Sequence, residues 1–323
     1  MEVELERVTY RFRRPITTAY GTLNERDVLV LRLRDEGGNE GLGEAAPLPV
    51  YDGVTLEEAE NAIRAGSGAP PGVAALDMAR ADLTSRIEGR PIAAAETAHP
   101  SGSIPVNAAV GATDRAGAAR EAAGAVEAGF GTVKLKVGVG DDAGRVAAVR
   151  AAVGSDVAIR IDANGVWDVD QAVAALRSLA PAGIELCEEP VHGVSALAAV
   201  RERLGGEVAI AMDETAREPG AVASGACDFV CLKVAGCGGV TGVWAAAEGA
   251  RTAGSEVYVA STYDGPIGIA AGLHAAAALG PAVPACGLAT LSLFDGVRDP
   301  FPVRDGRIDV PRGPGLGITW PLG

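Results

Sequence analysis

The feature that most constrains the fold is the alternation that begins near Ile104. From there, short β-branched runs alternate with Ala-rich segments long enough for about three helical turns. The expected strands are Ile104–Val110, Thr132–Val137, Ala158–Asp162, Ile184–Glu188, Val208–Asp213, Phe229–Lys233, Glu256–Ser261 and a poorly marked one near Ala285–Gly287, each separated from the next by one helix. Apolar strands alternating with helices imply a parallel sheet with right-handed crossovers. About eight of them favour a closed β/α barrel over an open sheet. After Thr290 there is no amphipathic segment, so the barrel is expected to lack its last helix.

The chain before Ile104 has a different texture. In Asp27–Arg34 the residues Leu29, Leu31 and Leu33 share one strand face, and Glu36-Gly37-Gly38-Asn39 supplies a turn. Leu76, Ala79, Leu83 and Ile87 then form a helical stripe that Gly89-Arg90-Pro91 stops. Strands followed by helices suggest an α+β unit. The tail from Leu291 is rich in Pro and Gly, with a hairpin turn expected at Asp305-Gly306. The expected fold class is therefore α/β: a modified (β/α)7β barrel over residues 101–290, and an α+β capping domain over 1–100 to which the tail 291–323 returns.

The informative residues stand at the ends of the barrel strands. Lys136 ends VKLK, Asp162 ends AIRID, Glu188 ends IELCE, Asp213 ends AIAMD and Lys233 ends FVCLK. Each falls about one βα unit after the last, so each is offered once per strand, at the C-terminal mouth where barrels build their sites. Adjacent strands lie about 4.8 Å apart, so three carboxylates converge. Their mutual repulsion calls for a divalent cation, and oxygen ligands without His or thiolate favour Mg²⁺, for which Mn²⁺ could substitute.

Lys136 and Lys233 flank the triad on opposite sides. A carboxylate substrate on the metal would place its α-carbon between them, within reach of an amine that removes the α-proton. Lys134 shares a face with Lys136, and its charge is expected to lower the pKa of Lys136. A lone strand-end Asp is ordinarily a helix cap or a surface charge, whereas five residues of these types at successive strand ends are not readily explained so. Glu189 competes with Glu188 as a ligand. Asn164, Ser261, Thr262 and Asp264 could contact substrate, although turn and cap roles serve them equally well.

Other features exclude more than they suggest. The net charge of −14 repels phosphate backbones and anionic lipid, so neither nucleic acid nor membrane is an expected partner; a small carboxylate is. The start, MEVELERVTY, lacks a secretion signal's basic and apolar regions, and a soluble cytoplasmic protein is expected. The five cysteines have no C-x-x-C pair and read as reduced, mostly buried thiols; zinc at Cys227, Cys231 and Cys237 has the wrong spacing. Gly138-Val139-Gly140 fails the dinucleotide spacing, and His99, His192 and His274 have no partner motif.

With these residues in view, the sequence resembles the enolase superfamily, in the branch of muconate cycloisomerases, dipeptide epimerases and o-succinylbenzoate synthases. The resemblance lies in Lys134-Leu135-Lys136, Asp162-Ala163-Asn164, Glu188-Glu189-Pro190, Asp213-Glu214 and Lys233 followed by Gly238-Gly239. It implies Mg²⁺ on Asp162, Glu188 and Asp213, acid/base chemistry at Lys136 and Lys233, and an enediolate intermediate common to the superfamily. It also implies that Thr17–Gly21, with Tyr20 as a substrate contact, and Ala46–Pro49 are loops that close over substrate.

The short capping domain and the tail LSLFDGVRDPFPVRDGRIDVPRGPGLG are most similar to the o-succinylbenzoate synthases of menaquinone biosynthesis. The aspartate pair with which dipeptide epimerases hold an amine is absent from Cys286–Thr290. The implied reaction is a syn dehydration, with N-acylamino acid racemisation as the nearest alternative. A Schiff-base aldolase needs no carboxylate triad, and a non-catalytic barrel would have lost one of the five residues.

Overall fold

A computed structural model describes residues 1–18 and 21–322, so Tyr20 lies outside the described residues. Three antiparallel strands open the chain: β1 (Glu2–Thr18), β2 (Gly21–Arg34) and β3 (Glu40–Ala45), in the order β1-β2-β3. The turn into β3 is closed by Asp35, whose Oδ1 accepts from the Asn39 amide at 2.8 Å. The helices α1 (Pro49–Asp52), α2 (Leu56–Ala65), α3 (Pro70–Ile87) and α4 (Ala93–Glu96) follow. A reciprocal Thr55/Glu58 capping box starts α2.

Leu29, Leu31 and Leu33 bury one face of β2 against Ile63, Leu76, Ala79 and Leu83 of α2 and α3. Ile87, the last residue of the expected stripe, is instead 58% exposed, because α3 ends there and its final turn clears the sheet. Helix and sheet approach closely: a Cβ on Gly43 would sit 2.0 Å from the Ala75 carbonyl oxygen. The alternation in β2 suggested a half-buried strand, yet Val28 and Val30 are also buried, in the core cluster that includes Phe294 and Leu316 of the tail.

The expected strand at 104–110 is two strands. β4 (Ser103–Pro105) pairs antiparallel with β12 (Arg307–Asp309) of the tail, and only β5 (Ala108–Val110) enters the barrel. Between them the Val106 amide donates to the Gly306 carbonyl at 2.9 Å and the Asn107 amide to the Cys286 carbonyl at 3.1 Å, so the chain changes partners there. The barrel continues through α5 (Arg115–Glu127), β6 (Thr132–Lys136), α6 (Asp142–Val153), β7 (Ala158–Asp162), α7 (Val169–Leu179), β8 (Ile184–Glu188), α8 (Val194–Leu204), β9 (Ala209–Met212), β10 (Phe229–Leu232), α9 (Val240–Thr252), β11 (Glu256–Val259) and α10 (Pro266–Ala278).

These strands form one parallel sheet in the order β11-β10-β9-β8-β7-β6-β5. The segment at 285–287 is not a strand but two isolated bridges, Ala260 to Gly287 and Val106 to Cys286, which join the sheet's edges and close the ring. One crossover departs from expectation. Between β9 and β10 there is no α-helix, only a 3₁₀ turn at Glu214–Arg217, in a stretch broken by Pro219, Gly220 and Gly225.

The tail has the expected turn at Asp305-Gly306, with φ 48° and 66°. From it β12 returns to β4, the Leu316 amide donates to Asp82 Oδ1 of α3 at 2.6 Å, and Phe294 stacks on Phe12 of β1. Among the described residues, no helix is long and apolar enough to cross a membrane.

Candidate active site at the barrel mouth

The strand register places Lys136 opposite Asp162, and Asp162 opposite Glu188, at one level of the sheet. Glu188 pairs with Ala211, so Asp213 lies two residues further along. Inward-facing positions alternate along each strand. The alternation that brings Lys136 inward also brings Lys134, and the one that brings Lys233 inward also brings Cys231.

Ammonium groups tie the carboxylates together. Lys134 Nζ is 2.9 Å from Asp162 Oδ2 and 2.5 Å from Glu188 Oε1, while Lys233 Nζ bonds to Asp213 Oδ1. Lys136 Nζ donates to Asn164 Oδ1, and Asn164 Nδ2 donates to Glu214 Oε1 at 3.0 Å. Glu188 Oε2 accepts from the Tyr258 hydroxyl at 2.5 Å, and Asp213 Oδ1 from the Tyr51 hydroxyl at 3.0 Å. Tyr51 comes from α1, so the N-terminal unit contributes to the mouth. The Arg217 guanidinium stacks over the Tyr51 ring at 4.6 Å, and Lys233 Nζ lies 5.0 Å from the same ring.

Burial and charge set the electrostatics. Burial works to raise Glu188, but Lys134 and Lys233 outweigh it and hold that carboxylate down to about 2. Burial pushes Asp213 up, with Glu188 and Glu214 adding to it against the pull of Lys233. The two outer lysines differ. Burial acts against charge on Lys233, but Asp213 overrides it and keeps this ammonium charged. Lys136 has a lowered pKa, and the chief cause is burial; the expected influence of Lys134 is a lesser one, because Asp162 and Glu188 neutralise that neighbour.

Glu188 and Asp213, with Cys231, offer ligand atoms that all lie within 4.8 Å of one another, a buried acidic group able to hold a metal ion. Asp162 lies outside that group, turned towards Lys134 and its own loop, where its Oδ1 accepts from the Asn164 amide at 3.0 Å. Glu189 points elsewhere. Fully buried, with φ 42°, it accepts from the Asp213 amide at 2.8 Å and the Thr215 amide at 3.0 Å, and bonds the Thr215 hydroxyl and His192.

Ser261 Oγ lies 3.0 Å from Thr290 Oγ1, and Thr262 donates to Asp264 Oδ1 at 3.1 Å, the turn role open to it. The three histidines are apart: His99 is exposed, His192 rests on Glu189, and His274 is fully buried in α10. All five cysteines are free thiols, and among the described residues Cys227 and Cys237 join no metal-competent group.

Tyr51, Tyr258 and Cys231 are site residues that sequence reasoning missed. Cys231 and Tyr258 carried a usable signal, since Cys231 stands two residues before Lys233 and is the register partner of Tyr258. Nothing local marks Tyr51, which reaches the mouth only through the packing of two separate parts of the chain.

A parallel barrel with a separate antiparallel cap and a mouth built of alternating acids and lysines defines a class, and comparison with known proteins agrees. Residues 117–321 match the family model for the enolase C-terminal domain-like fold, and the chain belongs to that family. It is 42% identical over 226 residues to the o-succinylbenzoate synthase of Thermobifida fusca (strain YX), covering 64% of this chain and 68% of that protein. A stretch of 191 residues is 42% identical to the o-succinylbenzoate synthase of Mycobacterium ulcerans (strain Agy99), covering 56% of each. Among solved structures, the substrate-liganded L-Ala-D/L-Glu epimerase of Bacillus subtilis superposes with a TM-score of 0.90 at 26% identity, over 99% of this chain and 98% of that one.

Proposed function

We propose that this chain is a cytoplasmic o-succinylbenzoate synthase of menaquinone biosynthesis. It would remove water from 2-succinyl-6-hydroxy-2,4-cyclohexadiene-1-carboxylate to give o-succinylbenzoate. The observation that carries this reading is the placement of two lysines on opposite flanks of one carboxylate cluster: Lys136 Nζ rests on the Asn164 amide oxygen, while Lys233 Nζ is paired with Asp213. Relatives at 42% identity that bear this name support the choice of substrate.

The donor set suits a hard divalent cation, since Glu188 and Asp213 present buried oxygens, burial disfavours an uncompensated charge on Asp213, and burial pushes the neighbouring Cys231 thiol well up, which keeps it protonated and a poor ligand. Mg²⁺ held by Asp162, Glu188 and Asp213 would supply fixed positive charge to the substrate's carboxylate as negative charge builds there. The rest falls to the chain. Lys136 Nζ takes the α-proton, and the electrons of that C–H bond move towards the carboxylate as an enediolate. Lys233 stays an ammonium and stabilises that charge from the opposite flank. The C–O bond to the hydroxyl then breaks, Lys136 returns its proton to the departing oxygen, and water and an aromatic ring result. Tyr51 and the 46–49 segment shield the site from solvent. In this reading residues 1–100 and 291–323 cap a catalytic barrel spanning 101–290.

Racemisation of an N-acylamino acid would use both lysines in turn as bases, and the opposed placement of the two amines allows it. The relatives at 42% identity, which are o-succinylbenzoate synthases, put it second. The test follows loss of dienyl absorbance with purified protein, with Mg²⁺ and with excess chelator. Rapid turnover only with metal is expected. No turnover with metal present would reject this substrate and turn attention to N-acylamino acids.

A further inference from the structure

Glu44, near the end of β3, reaches across to the barrel and caps a helix that belongs to another part of the chain. The residue before α10 is Gly265, which has no side chain to cap the helix, and the first N–H groups of a helix have no partners inside it. Glu44 Oε1 accepts from the Gly265 amide at 2.6 Å. The fit depends on bare backbone: a Cβ on Gly265 would lie 2.6 Å from Glu44 Oε2, and one on Gly268 would lie 2.8 Å from Oε1.

Two neighbours extend this contact towards the mouth. Arg26, 3% exposed, donates to the Pro47 and Ala46 carbonyls at 2.7 and 2.8 Å, which fixes the segment leading to Tyr51. Asp264, 5% exposed, accepts from Thr262 in the loop that leaves β11. Asp264 adds to the burial that raises Glu44, and Arg26 opposes it, so the three groups share one buried electrostatic environment. Tyr263, between Thr262 and Asp264 in the same loop, stands at φ 61° with its ring edge-on to Phe12, a left-handed conformation that a bulky residue holds only when its surroundings enforce it.

We infer that Glu44 is a positioning residue of the site: it locks the mouth loop 261–265 to the 46–51 segment, so that the two rims of the substrate pocket are set as one piece. The inference rests on reading the barrel mouth as the substrate site. Because Glu44 contacts neither metal ligands nor acid/base lysines, its loss should misplace the rims and leave the chemistry in place.

The experiment compares Glu44→Ala, Glu44→Gln and Gly268→Ala in the full chain. Glu44→Ala should raise KM for the cyclohexadiene carboxylate about tenfold with kcat within about threefold, the pattern of lost positioning. Mg²⁺ affinity should not change. Glu44→Gln keeps an acceptor oxygen and should stay within about twofold of wild type in KM. Gly268→Ala, whose Cβ would meet Asp264 Cβ at 2.7 Å and Glu44 Oε1 at 2.8 Å, crowds the joint between loop and carboxyl without removing it; it should reproduce the rise in KM and decides the matter if Glu44→Ala does not fold.

Amide hydrogen exchange reads the same coupling without turnover. In Glu44→Ala, exchange should quicken in 46–51 and 261–265 together while Lys134–Lys136 stays protected. If the wild-type protein proves inactive on this substrate, the proposed reaction fails and the exchange result alone decides this inference. Exchange confined to 261–265, or a wild-type KM in folded Glu44→Ala and Gly268→Ala, would overturn it.

Discussion

Lys136 donates its ammonium proton to Asn164 Oδ1, an amide oxygen that can orient an amine but cannot hold its proton. Burial lowers this lysine below the ordinary 10.5 against the weaker pull of Asp162 and Glu214, and among the described residues no carboxylate is hydrogen-bonded to it. The neutral, basic form is therefore available at lower pH than in free lysine. The expected kcat/KM rises with pH through a midpoint below 10.5, and Lys136→Ala should lose about 10³-fold in kcat together with that limb. An activity-pH profile of both proteins checks this, and a Lys136→Ala enzyme with the wild-type rate would remove Lys136 from the proton-transfer role.

Asp162, Glu188 and Asp213 are expected to bind Mg²⁺ as a set although only two of them sit in the compact buried group with Cys231. If Asp162 completes the set, Asp162→Asn should weaken Mg²⁺ binding by about 10–100-fold, as Asp213→Asn should. Titration calorimetry separates the cases. An Asp162→Asn protein with unchanged affinity would leave Asp162 as the partner of Lys134 alone.

Adjacent glutamates at the end of β8 should have opposite phenotypes. Glu189 is satisfied by backbone and side-chain donors from the β9 end, so replacing it leaves buried N–H groups unpaired. Glu189→Ala should cost about 2–3 kcal/mol in urea unfolding while Mg²⁺ affinity stays within about threefold. Glu188→Gln should do the reverse, losing metal with a smaller effect on stability. Loss of metal affinity in folded Glu189→Gln would reverse the assignment.

The sequence made the barrel legible because each strand carries its own apolar run, and the site legible because a charged residue stands at the end of each of the five successive strands β6 to β10. It failed where structure depends on partners far along the chain. The run 104–110 looked continuous but is split, because β4 answers to β12 and not to the barrel. The crossover after Asp213 lost its helix to Pro219, Gly220 and Gly225, punctuation that was visible. Glu188 and Glu189 could not be told apart, since a backbone turn at positive φ decides which one faces the mouth. Tyr51 was invisible, because only tertiary packing brings α1 over Asp213.

His274 should make the fold sensitive to acid. It is fully buried in α10, and burial lowers its pKa from 6.5 to about 4, against a weaker opposing pull from the Leu316 backbone. A histidine depressed in the folded state is protonated first in the unfolded chain, so the unfolded state binds more protons between these values. Stability is therefore complete above about 6.5 and falls as pH drops towards 4, by about 3 kcal/mol over that window. Replacing His274 with Leu keeps an apolar side chain in the core and removes the titrating group. Its urea midpoint should be nearly flat over the interval in which the wild-type midpoint declines, once the slope common to both proteins is subtracted. Parallel declines in the two proteins would show that the acid sensitivity arises elsewhere, in the carboxylates of the barrel mouth.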